Sequence, residues 1–541
     1  MPEQFIEYLY LILIILLLVT IANKLRIAYP IILVLGGLIL SFTGLFARIS
    51  IVPDLIFFIF LPPLLYEAAW QTSWKEFWKW RRVIMSFAFP IVIITACVMA
   101  FVSRSIIPGF TLALGFLLGG IISPPDAISA TTIMRNLKVP KSLVSIIEGE
   151  SLLNDASSLI VFRFAVIAVM TGQFDFQNAT TNFFMVVIMG ILIGVCIGLI
   201  FYVIHRNLPT TSGVEIILTL VTPYCMYYAA EHFHFSGVLA VVSGGLLLSS
   251  KRHSMLSYRS RIEGINVWTN FVFLLNGLIF LLIGFQLPLI TGGLGNIRIS
   301  TAIWYGLGIS VILIITRLAC TLGASIFTRF ISHFITVADS NPGWKLPLIS
   351  GWAGMRGVVS LAAALSIPLV TSDGTPFPFR NLILFVTFIV ILMTLVLQGL
   401  TLPWLIRRLK LEDKYATRTK QEQELFIQQK ITNVSTQFLQ DNYSQQLEGD
   451  DQLNNLYEKF QIEMQSLKQN SNTRFEPTLN TFDSICLALL EQQRDVLRDI
   501  NRLPDFDEDL IRTHLAIIDL EEFKIREKMG LKEKPTLTNT G

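Results

Sequence analysis

Residues 112–137 read LALGFLLGGIISPPDAISATTIMRNL, an apolar stretch that is interrupted near its middle. The pair Pro124-Pro125 and the acidic Asp126 follow two glycines. Consecutive prolines remove two backbone donors and clash with the preceding helical turn, so a helix through this stretch should break there. Carbonyl groups freed by a break are tolerated at membrane depth only where they face protein, water or an ion. The stretch therefore predicts a discontinuous helix beside a polar site.

A second interrupted stretch, PLISGWAGMRGVVSLAAALSIPL, occupies residues 347–369 and holds Arg356 between two glycines. Glycine and proline are common in membrane helices, so either interruption alone could be a simple kink. Interrupted segments at corresponding positions in two halves of a chain instead indicate the binding site of a transporter. Because each interruption lies beside a charged residue, we favour the binding site.

The composition around these stretches is that of a membrane protein. Of the 541 residues, 53% are hydrophobic and 15% charged, whereas soluble proteins average about 25% charged. Apolar runs recur up to about residue 410 and are long enough to cross a bilayer as helices of about 20 residues. The pattern predicts an all-α polytopic membrane protein with a transmembrane domain at 1–410 and a helical cytoplasmic tail at 411–541. That tail is a regulatory domain, a dimer brace or a solvated appendage.

The charges and spans give the predicted topology. Residues 1–410 carry a net charge of +11 and the remainder −8, which does not suggest a nucleic-acid partner. One set of alternating loops holds 19 basic residues and the other set four, so the positive-inside rule places the N-terminus outside and the tail in the cytoplasm. We predict thirteen spans, in which helices 5 and 12 are broken and two inverted six-helix repeats flank span seven. The spans are about 5–23, 29–46, 51–69, 83–103, 111–134, 142–171, 183–204, 213–231, 236–250, 268–287, 302–328, 346–370 and 379–406.

Span six begins SIIEGESLLNDASSLIVFRFAV at residues 145–166, and it brings acidic groups to membrane depth. Ser151 and Asp155 are four residues apart and share one face of a helix. A sodium ion needs several hard oxygen ligands. This region offers the Asp155 carboxylate, the Ser151 hydroxyl, carbonyls from Ser123 to Pro125, and Asp126. A carboxylate holds either a proton or a sodium ion, and this competition suffices to couple their exchange.

Other charged residues within the spans need partners, because an uncompensated charge at the bilayer centre costs at least about 2.5–3.5 kcal/mol. We expect Glu150 to pair with an intramembrane arginine, either Arg317 or Arg356. Glu67 either belongs to the ion site or caps span three. Arg163 is either a structural counter-charge or a residue that tunes the site.

At these residues the chain resembles the monovalent cation:proton antiporters of the sodium/proton exchanger type, in particular their bacterial members. The similarity covers about residues 5–410. Its motifs are ESLLND at 150–155, LPPLLYEAA at 61–69, SPPDAISA at 123–130, the lone Arg317 and GMRG at 354–357.

The resemblance implies thirteen helices in two inverted repeats and a homodimer in the lipid of the plasma membrane. It also implies an elevator-like movement of a core domain against a dimer domain. By this resemblance Asp155 binds the ion, Ser151 is a ligand and Asn154 is a structural neighbour. The adjacent Asn154 and Asp155 resemble members that exchange one cation for one proton, without net charge movement.

The remaining site residues follow from the same resemblance. Glu150 and Arg317 match the stabilising ion pair of the family, while Asp126 and Glu67 match further polar site residues. Sodium is thereby expected at Asp155, Ser151 and Asp126. Many members have Thr-Asp-Pro where this chain has Pro125-Asp126-Ala127, so the ligand shell and cation preference stay open.

The predicted function is exchange of Na+ or Li+ for protons by alternating access, with no cofactor. Potassium/proton exchange would use the same residues. A cation-coupled organic-anion symporter would need a basic cargo site, for which Arg356 is the available residue, and a channel or sensor controlled by the tail is a further class. We find no phosphate loop, metal-ligand spacing or nucleophile–base pair in the sequence, so we do not expect an enzyme.

Overall fold

The chain folds into helices. The computed structural model describes residues 2–25, 27–42, 53–134, 137, 139–172, 176–207, 211–285, 287–295, 297–333, 339, 343–371, 374–411, 420–447, 450–469, 481–500 and 508–528. Over these residues the all-α prediction is confirmed, and the extended structure there is one isolated bridge between Val370 and Pro376. The backbone divides into two compact units, Met1–Asp413 and Lys414–Gly541.

The first unit contains the apolar helices, and two short π-helical turns interrupt them. Its helices are α1 (Pro2–Leu25), α2 (Tyr29–Ser41), α3 (Pro53–Gln71), α4 (Trp74–Ser86), α5 (Val92–Ile106), α6 (Leu112–Ile122), α7 (Ala127–Met134), α8 (Lys141–Thr171), α9 (Phe176–Asn207), α10 (Ser212–His232), α11 (Gly237–Met255), α12 (Tyr258–Phe285), α13 (Leu287–Gly292), α14 (Ile299–Ile331), α15 (Lys345–Trp352), α16 (Val358–Leu365), α17 (Arg380–Met393) and α18 (Gly399–Leu409). The π-helical turns are Phe87–Ile91 and Thr394–Gln398.

Eight helical segments of the described chain are long and apolar enough to cross a membrane. They are Trp74–Ile106, Leu112–Met134, Lys141–Thr171, Thr181–Asn207, Ser212–His232, Arg259–Gly292, Ile299–Phe330 and Arg380–Leu409. Shorter apolar helices cover Leu9–Leu25 and Tyr29–Ser41. These helices make the protein a multi-pass membrane protein, while the count of thirteen spans and the inverted repeats stay predictions.

Both predicted helix breaks are present. The first separates α6 from α7 at residues 123–126, and the second separates α15 from α16 at residues 353–357. Pro124 and Pro125 cannot donate to the preceding turn, and the glycines around Arg356 weaken the second helix. The backbone N–H of Asp126 donates to the carbonyl of Met355 at 2.7 Å, so the two breaks cross each other in the interior.

Small residues bring α6 close to α5. A Cβ atom added at Gly115 would lie 2.5 Å from the carbonyl oxygen of Ala100, and one at Gly119 would lie 2.5 Å from that of Ala96. Glycines four residues apart allow such backbone contact between membrane helices. This packing holds the first broken helix firmly against an unbroken neighbour.

The first π-helical turn contacts α8, and the second contacts the second break. The Ser157 hydroxyl on α8 donates to the Ala88 carbonyl at 2.5 Å, within the first π-helical turn. The backbone N–H of Arg356 donates to the Thr394 hydroxyl at 3.1 Å, at the start of the second. Such turns release backbone groups from the helical ladder and are frequent at functional sites.

The second unit contains α19 (Lys420–Leu447), α20 (Asp451–Gln469), α21 (Thr481–Ile500) and α22 (Glu508–Lys528). Arg494 on α21 donates to Asp519 on α22 at 2.7 Å and also pairs with Glu522. This cluster joins the last two helices.

Candidate functional site

A cavity of about 650 Å³ lies between the broken helices, α3, α8 and α12. It brings together four of the residues that we proposed from the sequence, namely Glu67, Asp126, Ser151 and Asp155. The other polar residues that line it are Gln71, Thr131, Thr132, Glu148, Thr269 and Asn276, together with Tyr29. Its lining residues include four carboxylates and no lysine or arginine, so the described wall is suited to a cation.

Asp155 lies in the middle of α8 and is only 6% exposed. Within the described residues, no donor lies within hydrogen-bonding distance of its carboxylate, although the side chain lines the cavity. A buried carboxylate without a partner is costly as an anion. A proton or a cation at this position would remove that cost.

Asp126 follows the first break and caps the helix after it. Its carboxylate accepts hydrogen bonds from the backbone N–H of Ile128 at 3.0 Å and from the Ser129 hydroxyl at 2.9 Å. These are the bonds of a helix N-terminal cap, which stabilises negative charge. Asp126 is therefore held in place by α7, whereas Asp155 is not held by any described donor.

Two side chains of α8 attach it to the first break. The Ser151 hydroxyl accepts from the backbone N–H of Ala127 at 3.2 Å, and the Asn154 amide donates to the Pro125 carbonyl at 3.0 Å. Ser151 thus lines the cavity and contacts the break at once. The structure leaves Asn154 and Pro125 outside the cavity lining, bonded to each other behind it.

Ser123, at the C-terminal end of α6, is also outside the cavity lining. Its side chain is 1% exposed, and its hydroxyl has no hydrogen-bond partner among the described residues. Residues 123–125, whose carbonyls we proposed as ligands, therefore lie behind the residues that line the cavity.

Glu150 pairs with Arg317 of α14, one of the two partners that the sequence left open. An oxygen of Glu150 lies 2.5 Å from the terminal nitrogen of Arg317, and both side chains are 2% exposed. The Arg317 guanidinium also lies 5.8 Å from the centre of the Phe87 ring, in the first π-helical turn. The pair thus joins α8 to α14 deep in the protein.

Arg356 binds backbone carbonyls at both breaks. Its Nε donates to the carbonyl of Ile122, the last residue of α6, at 2.5 Å, and its Nη1 donates to the carbonyl of Gly354. The last carbonyls of a helix lack partners within that helix and carry partial negative charge. Arg356, which is 1% exposed, satisfies these groups where water is excluded.

Arg163 lies on α8 beyond Asp155 and pairs with Glu231 near the end of α10. Glu231 also accepts from the backbone N–H of Gly237 at 3.1 Å. This arrangement makes Arg163 a structural counter-charge between α8 and α10, one of the two interpretations left open above.

Sequence reasoning did not assign Asn276, Gln71 or Glu148 to the site. Gln71 donates to Glu67 one helical turn away. Asn276 is the amide within the apolar stretch FVFLLNGLIFLLIGF at 271–285. A polar side chain in such a stretch is itself a signal of function.

Comparison with known proteins gives a consistent picture. The family model for the transmembrane sodium/hydrogen exchanger matches residues 11–408. A sodium, potassium, lithium and rubidium/H(+) antiporter from Bacillus subtilis (strain 168) is 34% identical over 370 residues, covering 65% of this chain and 53% of that protein. This chain thus spans about half the length of the curated Bacillus relatives it matches.

Two further matches extend the comparison. The Na(+)/H(+) antiporter of Aphanothece halophytica is 34% identical over 406 residues, covering 73% of each chain. The structure of the sodium proton antiporter from Methanocaldococcus jannaschii matches with a TM-score of 0.58 and 20% identity, covering 76% of this chain and 100% of that one. The latter similarity concerns the fold. From the matched residues and these relatives, the chain belongs to the sodium/hydrogen exchanger family.

Proposed function

We propose that the protein exchanges Na+ or Li+ for H+, with cation and proton competing for Asp155. The observation that carries this proposal is the Asp155 carboxylate, which lines the cavity without a described donor. Because the group is buried and unpaired, one positive charge at a time neutralises it. Asp126, Ser151 and water supply further oxygens around the cation.

The neutral Asn154 beside Asp155 supports an exchange of one cation for one proton. Its amide donates to the Pro125 carbonyl and carries no charge. With one exchangeable carboxylate, each transport half-cycle moves one positive charge, so the complete cycle is electroneutral.

Potassium is the second candidate cation. The relatives from two Bacillus species are named sodium, potassium, lithium and rubidium/H(+) antiporters. An organic-anion symporter is less well supported, because the lining residues of the cavity include carboxylates and no described basic side chain.

The cavity also supports an inward-open conformation. Glu148 and Asp155 both line it, and their separation of seven positions corresponds to about 10 Å along α8. The nearby start of α8 adjoins a loop rich in basic residues, which the positive-inside rule assigns to the cytoplasm. We propose a plasma-membrane homodimer with an external N-terminus, thirteen spans in inverted repeats, and alternating access by an elevator-like movement.

The test is a proteoliposome assay with an internal pH dye. Pulses of Na+, Li+ and K+ are applied to the full-length protein, with and without an imposed clamp of the membrane potential. We expect a dye response to Na+ and Li+ that the clamp leaves unchanged, and protein-free liposomes as control give none. If no cation moves protons, exchange is excluded, and an effect of the clamp would exclude electroneutrality.

The second compact unit is proposed to be a cytoplasmic helical tail with a regulatory role. Every residue that we place at the site lies in the first unit, Met1–Asp413. A chain that ends at residue 413 is therefore expected to retain Na+-driven proton movement while its dependence on pH changes. The assay above measures both quantities, and loss of all exchange in a truncated protein that is still folded would contradict this division.

Gly357 provides a further test of the site. A Cβ atom at this position would lie 2.5 Å from Oδ2 of Asp126, and that oxygen accepts from Ser129 at 2.9 Å. In Gly357→Ala the carboxylate must turn and lose this bond, which is worth about 1.5–3 kcal/mol for a charged acceptor. We expect the KM for Na+ to rise about tenfold or more.

Gly308 on α14 is the matched control for this substitution, since nothing lies within 4 Å of an added Cβ there. Gly308→Ala should leave the KM unchanged. Equal KM values for Gly357→Ala and the unaltered protein would show that the position of Asp126 does not matter for the cation.

A further inference from the structure

One face of α12 forms part of the cavity wall. Thr269, Val272, Phe273 and Asn276 all line the cavity. Their spacing of three, four and seven residues places them on a single face of the helix. Asn276 is the last of them along the chain, and its neighbours on this helix are predominantly apolar.

Asn276 lines the same cavity as Asp155. Thr269 also lines a second cavity of about 600 Å³, which includes Arg252 and Arg261 near the start of α12. Asn276 is seven residues beyond Thr269, which corresponds to about 10 Å along the helix. Asn276 thus lies farther from the start of α12 than Thr269 does, just as Asp155 lies farther from the start of α8 than Glu148 does.

The Asn276 amide is buried and has an unused acceptor. The side chain is 3% exposed, and its carbonyl oxygen accepts no hydrogen bond from any residue that the structure describes. Burying an amide without a partner is unfavourable, and a buried polar group without a partner calls for an explanation. Rotation about the last side-chain torsion exchanges the oxygen and the nitrogen, so the oxygen can face the cavity.

The two helices that carry Asp155 and Asn276 have different main packing partners. The helix α8 packs mainly against α4 and α6, whereas α12 packs mainly against α2, and both contact α3 and α16. An amide oxygen on α12 that faces the cavity would meet a hydrated cation at Asp155 from a different helix. Such a contact adds a ligand that the residues of α8 and the first break do not supply.

We propose that Asn276 is a cation-binding residue, whose amide oxygen enters the coordination shell of a partly hydrated alkali cation at Asp155. This inference rests on the proposed function and extends it to a second wall of the cavity. Replacing the amide by an apolar side chain removes one oxygen ligand. The cation then binds more weakly, while the proton still reaches Asp155.

The experiment compares the full-length protein with Asn276→Leu and Asn276→Asp in proteoliposomes. Loss of one ligand of ordinary hydrogen-bond strength should raise the KM for Na+ about fivefold in the leucine variant. The maximal rate at saturating Na+ should stay unchanged. The aspartate variant keeps an oxygen at the same position and should restore most of the affinity.

Thr387→Val is the matched control. Thr387 lies on α17, is fully buried, and its hydroxyl likewise has no hydrogen-bond partner among the described residues. It does not line the cavity. If Asn276 has only a structural function, Asn276→Leu and Thr387→Val should have the same kind of effect. Both would then lower the Tm or the maximal rate and leave the KM for Na+ unchanged. A KM change confined to Asn276 supports cation binding.

A second measurement needs no transport. Bound Na+ stabilises the folded protein in detergent, and the effect depends on the ratio of Na+ concentration to Kd. The leucine variant should need about five times more Na+ for the same rise in Tm. An unchanged Na+ dependence in both assays would overturn the inference, while transport by the unaltered protein would keep the proposed function intact. A lack of proton movement with every cation would instead overturn the function itself.

Discussion

Asp155→Asn is expected to abolish Na+-driven proton movement while the protein remains folded. The amide has the size of the carboxylate but neither binds a proton at ordinary pH nor carries the charge that attracts a cation. No described donor depends on the carboxylate, and the side chain is 6% exposed. Removing a buried unpaired charge therefore leaves no partner behind, and the Tm should stay the same or rise.

The measurement pairs the pH-dye assay with thermal unfolding of the same preparation. We expect a loss of initial rate of at least about 100-fold, since no other group at this position exchanges its proton. Asp451→Asn is the matched control, because Asp451 is an exposed carboxylate at the start of α20 in the second unit. Exchange by Asp155→Asn at the rate of this control would exclude Asp155 as the shared site.

Glu150→Ala is expected to destabilise the protein strongly. The substitution leaves the Arg317 guanidinium, which is 2% exposed, without its carboxylate partner. Removing one partner of a buried ion pair costs about 3–5 kcal/mol. The Tm and the yield of folded protein should therefore fall, and transport should fall with them.

A double variant separates the loss of the pair from the loss of a particular side chain. Replacing a buried ion pair by apolar residues of similar volume is often neutral or stabilising. The combination Glu150→Leu with Arg317→Met should therefore recover much of the stability that Glu150→Ala loses. Thermal unfolding in detergent, supported by size-exclusion profiles, measures this recovery.

Glu263→Ala is the control for an exposed pair. Glu263 lies 2.7 Å from Arg259 on the same helix, but the two side chains are 41% and 69% exposed. Exposed pairs are worth about 0–1 kcal/mol, so this substitution should hardly change the Tm. If Glu150→Ala were equally mild, the buried pair would not be what holds α8 to α14.

Several features were predictable because they follow from local chemistry. The break after Ile122 follows from two consecutive prolines, which cannot continue a helix whatever surrounds them. The common face of Ser151 and Asp155 follows from helical periodicity. The membrane location follows from the length of the apolar runs. None of these conclusions requires knowing which helices are neighbours.

Other features depend on which distant residues meet. Glu150 had two possible arginine partners, and the structure places Arg317 beside it. Arg356 instead binds carbonyls at both breaks. Helix periodicity gives the direction of a side chain but not the identity of its neighbour, so this choice could not be made from spacing.

The site itself divides in the same way. The sequence by itself determined that acidic groups and two broken helices share the membrane interior. The reason is that the cost of a buried charge and the loss of a backbone donor at proline depend on the residue itself and not on its distant neighbours. The tertiary structure alone decided that the Asn154 amide donates to the Pro125 carbonyl behind the cavity. It also decided that Asn276 and Asp155 line the same cavity. The physical reason is that coordination and pairing act over a few ångströms between segments far apart in the chain, and only packing sets those distances.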